Sequence, residues 1–110
     1  MILDYFDAKH RRQSQVATIA LSSGEQLKVK LHEILSAGYS WEIEEQPQGL
    51  ELEGRDSYPE NPDRTREFVG GADIVEFTFS AAEVQGQLLL EYSRPWESMP
   101  ALYQIQIQIN

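Results

Sequence analysis

The chain has no cysteine. No disulfide can staple the fold, and no thiolate can serve as nucleophile or metal ligand. The absence does not locate the protein, because a cysteine-free chain suits either redox compartment. Histidine is scarce, with only His10 and His32. His10 lies in a basic N-terminal patch and His32 at the end of an alternating segment, so each reads as a solvated surface residue. No His-Cys-Asp cluster has metal-ligand spacing. Positive charge is in deficit: Lys plus Arg is 9 against 18 for Asp plus Glu, for a net charge of -9. The densest basic run, Lys9-His10-Arg11-Arg12, is too short for the basic stripe of a nucleic-acid binder. Anionic membrane surfaces are disfavoured for the same reason, while a basic or neutral protein partner is compatible.

Long apolar runs are also missing. No window approaches the roughly 20 apolar residues of a membrane span. Acids interrupt the first residues, Met1-Ile2-Leu3-Asp4-Tyr5-Phe6-Asp7, which do not form a signal peptide. As the chain stands this predicts a cytoplasmic protein, and a periplasmic or secreted one if a leader has been removed. Gly70-Gly71 lacks the strand–glycine–helix setting of a phosphate loop. Glu42 and Glu44 share a strand face, as paired acid and base would, but a solvated polar face is the favoured reading of them. The chain therefore reads as a non-enzyme without cofactor or metal.

The dominant pattern is alternation of period two, the signature of half-buried strands. Leu27, Val29 and Leu31 alternate with Lys28 and Lys30, and Tyr39, Trp41 and Ile43 with Ser40, Glu42 and Glu44. Val75, Phe77 and Phe79 follow, then Leu88, Leu90 and Tyr92, then Tyr103, Ile105, Ile107 and Ile109 with glutamines between them. Residues 15–21 alternate more loosely, and a short strand is expected at Leu50-Glu51-Leu52-Glu53. Residues 1–14 read as a turn or an irregular edge strand. No segment has a helical period. About seven short strands in one domain spanning residues 1–110 predict an immunoglobulin-like antiparallel β-sandwich, with a closed barrel as the alternative.

Turn chemistry separates these strands. In an up-and-down succession the second, fourth and sixth connections share one end. They are residues 33–38, 54–72 and 94–100, and they are the long or chemically odd ones. The middle one, polar and rich in charge and proline, is expected to be mobile along its length. Loops at one end of a rigid sandwich make a natural binding surface. In the last of them, Arg94-Pro95-Trp96 is stiffened by proline. Two readings stand for it. Trp96 is presented outward as an anchor, in keeping with the weight of Trp and Arg in interface hot spots; or it folds onto the core while Arg94 pairs with a local acid. Gly70-Gly71 reads as a close approach to a partner or as a plain turn before Asp73. Trp41 reads as a core residue.

Together these pieces resemble the chagasin family of inhibitors of papain-like cysteine peptidases. Gly86-Gln87-Leu88-Leu89-Leu90-Glu91-Tyr92-Ser93-Arg94-Pro95-Trp96-Glu97 is similar to the family's penultimate strand and Arg-Pro-Trp loop. Phe68-Val69-Gly70-Gly71 is similar to its Gly-x-Gly-Gly loop, with Phe68 in place of the first glycine. Gly38-Tyr39-Ser40-Trp41 is similar to the Gly-aromatic-x-Trp that closes the first loop, where Ile34-Leu35-Ser36-Ala37 replaces Asn-Pro-Thr-Thr. The resemblance implies a monomer that blocks a peptidase cleft sterically, with no cofactor. In the family the first loop enters the centre of the cleft and the other two pack on either side. The implied contacts are Ile34, Leu35, Ser36, Ala37, Gly38, Phe68, Val69, Gly70, Gly71, Arg94, Pro95 and Trp96. The replaced first loop keeps open a non-inhibitory protein-binding or adhesion module of the same fold. A carbohydrate-binding sandwich using Trp96 and Tyr103 is a further alternative.

Overall fold

The structure is a computed structural model, and it describes residues 1–5, 13–33, 38–59, 73–94, 96 and 100–110. Among them are eight strands: β1 (Ile2–Asp4), β2 (Gln15–Ile19), β3 (Gln26–Glu33), β4 (Ser40–Glu45), β5 (Leu50–Pro59), β6 (Asp73–Ala81), β7 (Gly86–Ser93) and β8 (Tyr103–Ile109). They form two four-stranded sheets, β1-β3-β6-β5 and β2-β8-β7-β4. The inward residues of both make one core, in which Leu27, Val29, Leu31, Val75, Phe77 and Phe79 meet Trp41, Leu88, Leu90, Tyr92, Ile105 and Ile107. This is the sandwich that the alternation predicts: each apolar residue of a period-two strand faces the other sheet. The pairs at the centre of the sheets, β3 with β6 and β7 with β8, are antiparallel, and so are β5 with β6 and β4 with β7. Two edge pairs, β1 with β3 and β2 with β8, are parallel.

Three expectations change. Residues 1–14 contribute a true edge strand, β1, making eight strands rather than seven. The strand expected over Leu50 to Glu53 runs on to Pro59, paired with β6 throughout, with a register shift between Leu52 and Gly54. Its alternation is faint because β5 is an edge strand with most of its side chains in water. Backbone pairing with β6, invisible in the side-chain pattern, holds it in place. Residues 54–59 are therefore strand, not loop; 60–72 lie outside the described residues. Third, His32 is buried, only 5 % exposed, where a solvated histidine was expected. Leu31, His32 and Glu33 are buried in succession, so β3 is covered on both faces at this end and alternation stops reporting exposure.

The odd connections form the compact end of the sandwich. The Ser22–Glu25 turn is fixed by Glu25 N–H donating to the Ser22 carbonyl, and Ser22 N–H donating to Glu25 Oε1 at 2.7 Å. Gly24 N–H donates to the Ala81 carbonyl and Ala82 N–H to that of Gly49. The strand ends flanking the even connections lie at the other end. Glu33 is in register with Asp73 and Asp73 with Pro59, while Ser40 is in register with Ser93.

Candidate functional site

The register of β4 on β7 decides what meets at this end. Ser40 opposite Ser93 brings the residues just before β4, Gly38 and Tyr39, beside those just after β7, Arg94 and Trp96. Gly38 has φ +80°, a left-handed conformation that glycine adopts without steric cost. A β-carbon there would sit 2.7 Å from Cη2 and 3.0 Å from Cζ2 of Trp96. The indole thus lies directly against the Gly38 backbone, and its remaining surface faces solvent: Trp96 is 72 % exposed. Of the two sequence readings for this residue, outward presentation is the one found.

Arg94 does not extend away from this surface. Its guanidinium lies over the Tyr39 ring, 4.5 Å from the centroid, a cation–π contact of about 0.5–2 kcal/mol. Tyr39 stacks on Tyr92 at 5.3 Å, and Tyr92 on Tyr103 at 6.0 Å, with Trp41 tilted against Tyr92 at 5.0 Å. An aromatic column therefore runs from the core to the solvent-facing end and is capped by Arg94. Leu102, half exposed, is tied to the same place by its N–H donating to the Tyr92 carbonyl at 2.9 Å.

A polar cluster, its charged side chains buried only at Glu33, joins three strands. Glu33 is 2 % exposed. Its Oε2 accepts the Trp41 backbone N–H at 3.2 Å and lies 3.7 Å from Arg55. Arg55 also reaches Glu42 Oε2 at 3.4 Å and lies over the Phe77 ring. Ser40 Oγ donates to the other Glu42 oxygen at 3.1 Å, and the Trp41 indole N–H donates to the His32 carbonyl at 3.0 Å. Burial pushes the Glu33 carboxyl above its usual range, opposed by the Trp41 hydrogen bond and by Arg55.

Of the contact residues expected from the sequence, the structure brings Gly38, Arg94 and Trp96 together. Ile34, Leu35, Ser36, Ala37, Phe68, Val69, Gly70, Gly71 and Pro95 lie outside the described residues. Tyr39, Leu102, Glu33 and Arg55 also stand at this end and were not singled out. Glu33 was visible as a carboxylate in the core register of Leu27, Val29 and Leu31, whereas Arg55 was hidden by the misplaced end of β5. The arrangement offers shape, an exposed aromatic and a cation.

The sequence model of the family described as chagasin family peptidase inhibitor I42 matches residues 20–109. No curated protein sequence matches the chain significantly. Among solved structures, the cysteine protease inhibitor EhICP2 of Entamoeba histolytica is 25 % identical, with a TM-score of 0.67 over 99 % of this chain and 94 % of that one. PbICP-C, solved in complex with falcipain-2, is 18 % identical with a TM-score of 0.61 over 99 % and 97 % of the two chains. Amebosin shares 18 % identity and a TM-score of 0.55 over 89 % of this chain and 98 % of that one. With a matched region that runs from before β3 through the end of β8 and a two-sheet fold common to these structures, the chain belongs to the chagasin family of peptidase inhibitors.

Proposed function

We propose that the chain inhibits papain-like cysteine peptidases by seating the end of the sandwich that carries Gly38, Arg94 and Trp96 over the active-site cleft. The observation that carries this is the packing of Trp96 against Gly38: two sequence-distant pieces meet in one exposed surface on a rigid frame. An exposed Trp costs apolar hydration, so its position away from the core is better explained by a partner than by folding. A structure of the same fold, PbICP-C, was solved in complex with falcipain-2, which supports a peptidase as the partner. The mechanism is steric occlusion, and nothing in the inhibitor reacts. Rigidity limits the ordering entropy lost on binding, and a standard interface would bury about 800 Å² on each side. Ile34-Leu35, together with Ser36-Ala37, and Phe68-Val69-Gly70-Gly71 are assigned to the same surface by their place in the chain, as is Pro95.

The test is a titration of papain with the chain, read by hydrolysis of a small fluorogenic peptide. Tight, stoichiometric, substrate-competitive inhibition is expected. Trp96→Ala should weaken it by about 2 kcal/mol or more, as loss of an interface anchor does, while the melting temperature changes little because the indole is mostly in water. Full papain activity at saturating inhibitor would remove this reading and leave the non-inhibitory binding module.

A further inference from the structure

The alternation Leu27, Val29, Leu31 continues inward to Glu33, so a carboxylate occupies the next core position of β3. Folding alone does not account for it. An apolar residue there would extend the core, and replacing buried ion pairs by apolar groups is often neutral or stabilising. What the carboxylate does hold together is the base of the candidate binding end. Its Oε2 accepts the N–H of Trp41, on the strand that leaves the first loop, while Glu33 itself is on the strand that enters it. As β4 is a sheet edge, this N–H has a side chain for its partner. The same oxygen faces Arg55 of β5, the strand that leads into the second loop.

We infer that Glu33 is a positioning residue for inhibition: ionised and paired with Arg55, it fixes the stems of the first and second loops relative to each other. The inference rests on the inhibitor reading above. The charged groups around Glu33 are Arg55 from β5, Glu42 from β4 and Asp73 from β6, and the two acids oppose its ionisation while Arg55 supports it. On protonation Arg55 loses one of its two carboxylate partners and the hydrogen bond to Trp41 loses its charge assistance. The strand ends that flank the two loops are then less constrained although the strands stay paired.

Glu33→Gln separates charge from shape, because glutamine keeps an oxygen for Trp41 and matches the protonated carboxyl. Inhibition of papain is to be measured for the native chain, Glu33→Gln and Arg55→Gln from about pH 4 to 8, a range that spans carboxylate titration. At neutral pH both variants should inhibit roughly tenfold more weakly, as expected for a lost charge-assisted contact. The ratio of native to Glu33→Gln affinity should collapse toward one at the acid end. Taking ratios cancels the peptidase's own pH dependence. Inhibition equal to native at neutral pH, or a ratio constant across the range, overturns the inference while leaving the inhibitor reading intact. A native chain that never inhibits overturns the inhibitor reading instead. A second readout needs no peptidase and no foldable variant: in the free native chain, the Trp41 amide and Trp96 indole N–H resonances should titrate together with the Glu33 carboxyl. Independent titration or no movement at either proton contradicts the inference.

Discussion

Gly38 shows how one residue carries two constraints. Its φ of +80° disfavours any side chain, and the Trp96 ring occupies the space a β-carbon would take. Gly38→Ala should therefore cost about 1–3 kcal/mol of backbone strain and also displace the indole. The checks are chemical denaturation for the first effect and a shift in Trp emission for the second. An unchanged spectrum with unchanged inhibition would show that the indole does not rest on this glycine. Glu33 makes a separate prediction for stability. Its folded pKa is raised by burial above the ordinary carboxylate value of 4.5. The folded state then binds more protons than the unfolded one in that window, so the stabilising contribution is full below the ordinary value and is lost as pH rises through the raised one. Denaturation midpoints of Glu33→Gln relative to the native chain should move in the variant's favour across this window and level off above it. Movement in the opposite direction would mean that Arg55 and Trp41 outweigh the cost of burial.

At the scale of elements, β5 departs most from its sequence pattern. Glu51, Leu52, Glu53, Arg55, Asp56 and Ser57 are all exposed, yet the strand is in register with β6 from Leu50 to Pro59. Amides of β5 that donate to β6 should exchange slowly up to Tyr58, whatever the polarity of their side chains. Uniformly fast exchange over residues 55–58 would return them to the loop. The strands facing the core were legible because each has a dry and a wet face, so Leu27-Val29-Leu31, Phe77-Phe79 and Ile105-Ile107-Ile109 announce their sides. An edge strand wet on both faces has no such contrast, and β1, at three residues, is too short for any period. The burial of His32 was unreadable for the converse reason, since that stretch of β3 is covered on both faces.

The whole molecule is a rigid two-sheet frame whose ends differ in character. One end is tied down by short backbone hydrogen bonds among the Ser22–Glu25 turn, Gly49, Ala81 and Ala82. The other gathers an exposed Trp, an Arg on an aromatic column and the Glu33–Arg55 pair. That Gly38 and Arg94-Pro95-Trp96 belong to one end followed from counting connections, and the structure places Gly38, Arg94 and Trp96 in contact. The support beneath them, Tyr39 stacked under Arg94 and Glu33 bridged to Arg55, depends on side-chain contacts across strands of one sheet that no one-dimensional pattern encodes. The most direct test of the central claim is amide hydrogen exchange of the chain free and bound to a papain variant lacking its nucleophile. Binding should slow exchange at Gly38, Tyr39, Arg94, Trp96 and Leu102 and leave Ser22–Glu25 and residues 82–85 unchanged. Protection confined to those turns, with Trp96 unaffected, would place the peptidase at the wrong end of the sandwich and contradict the account.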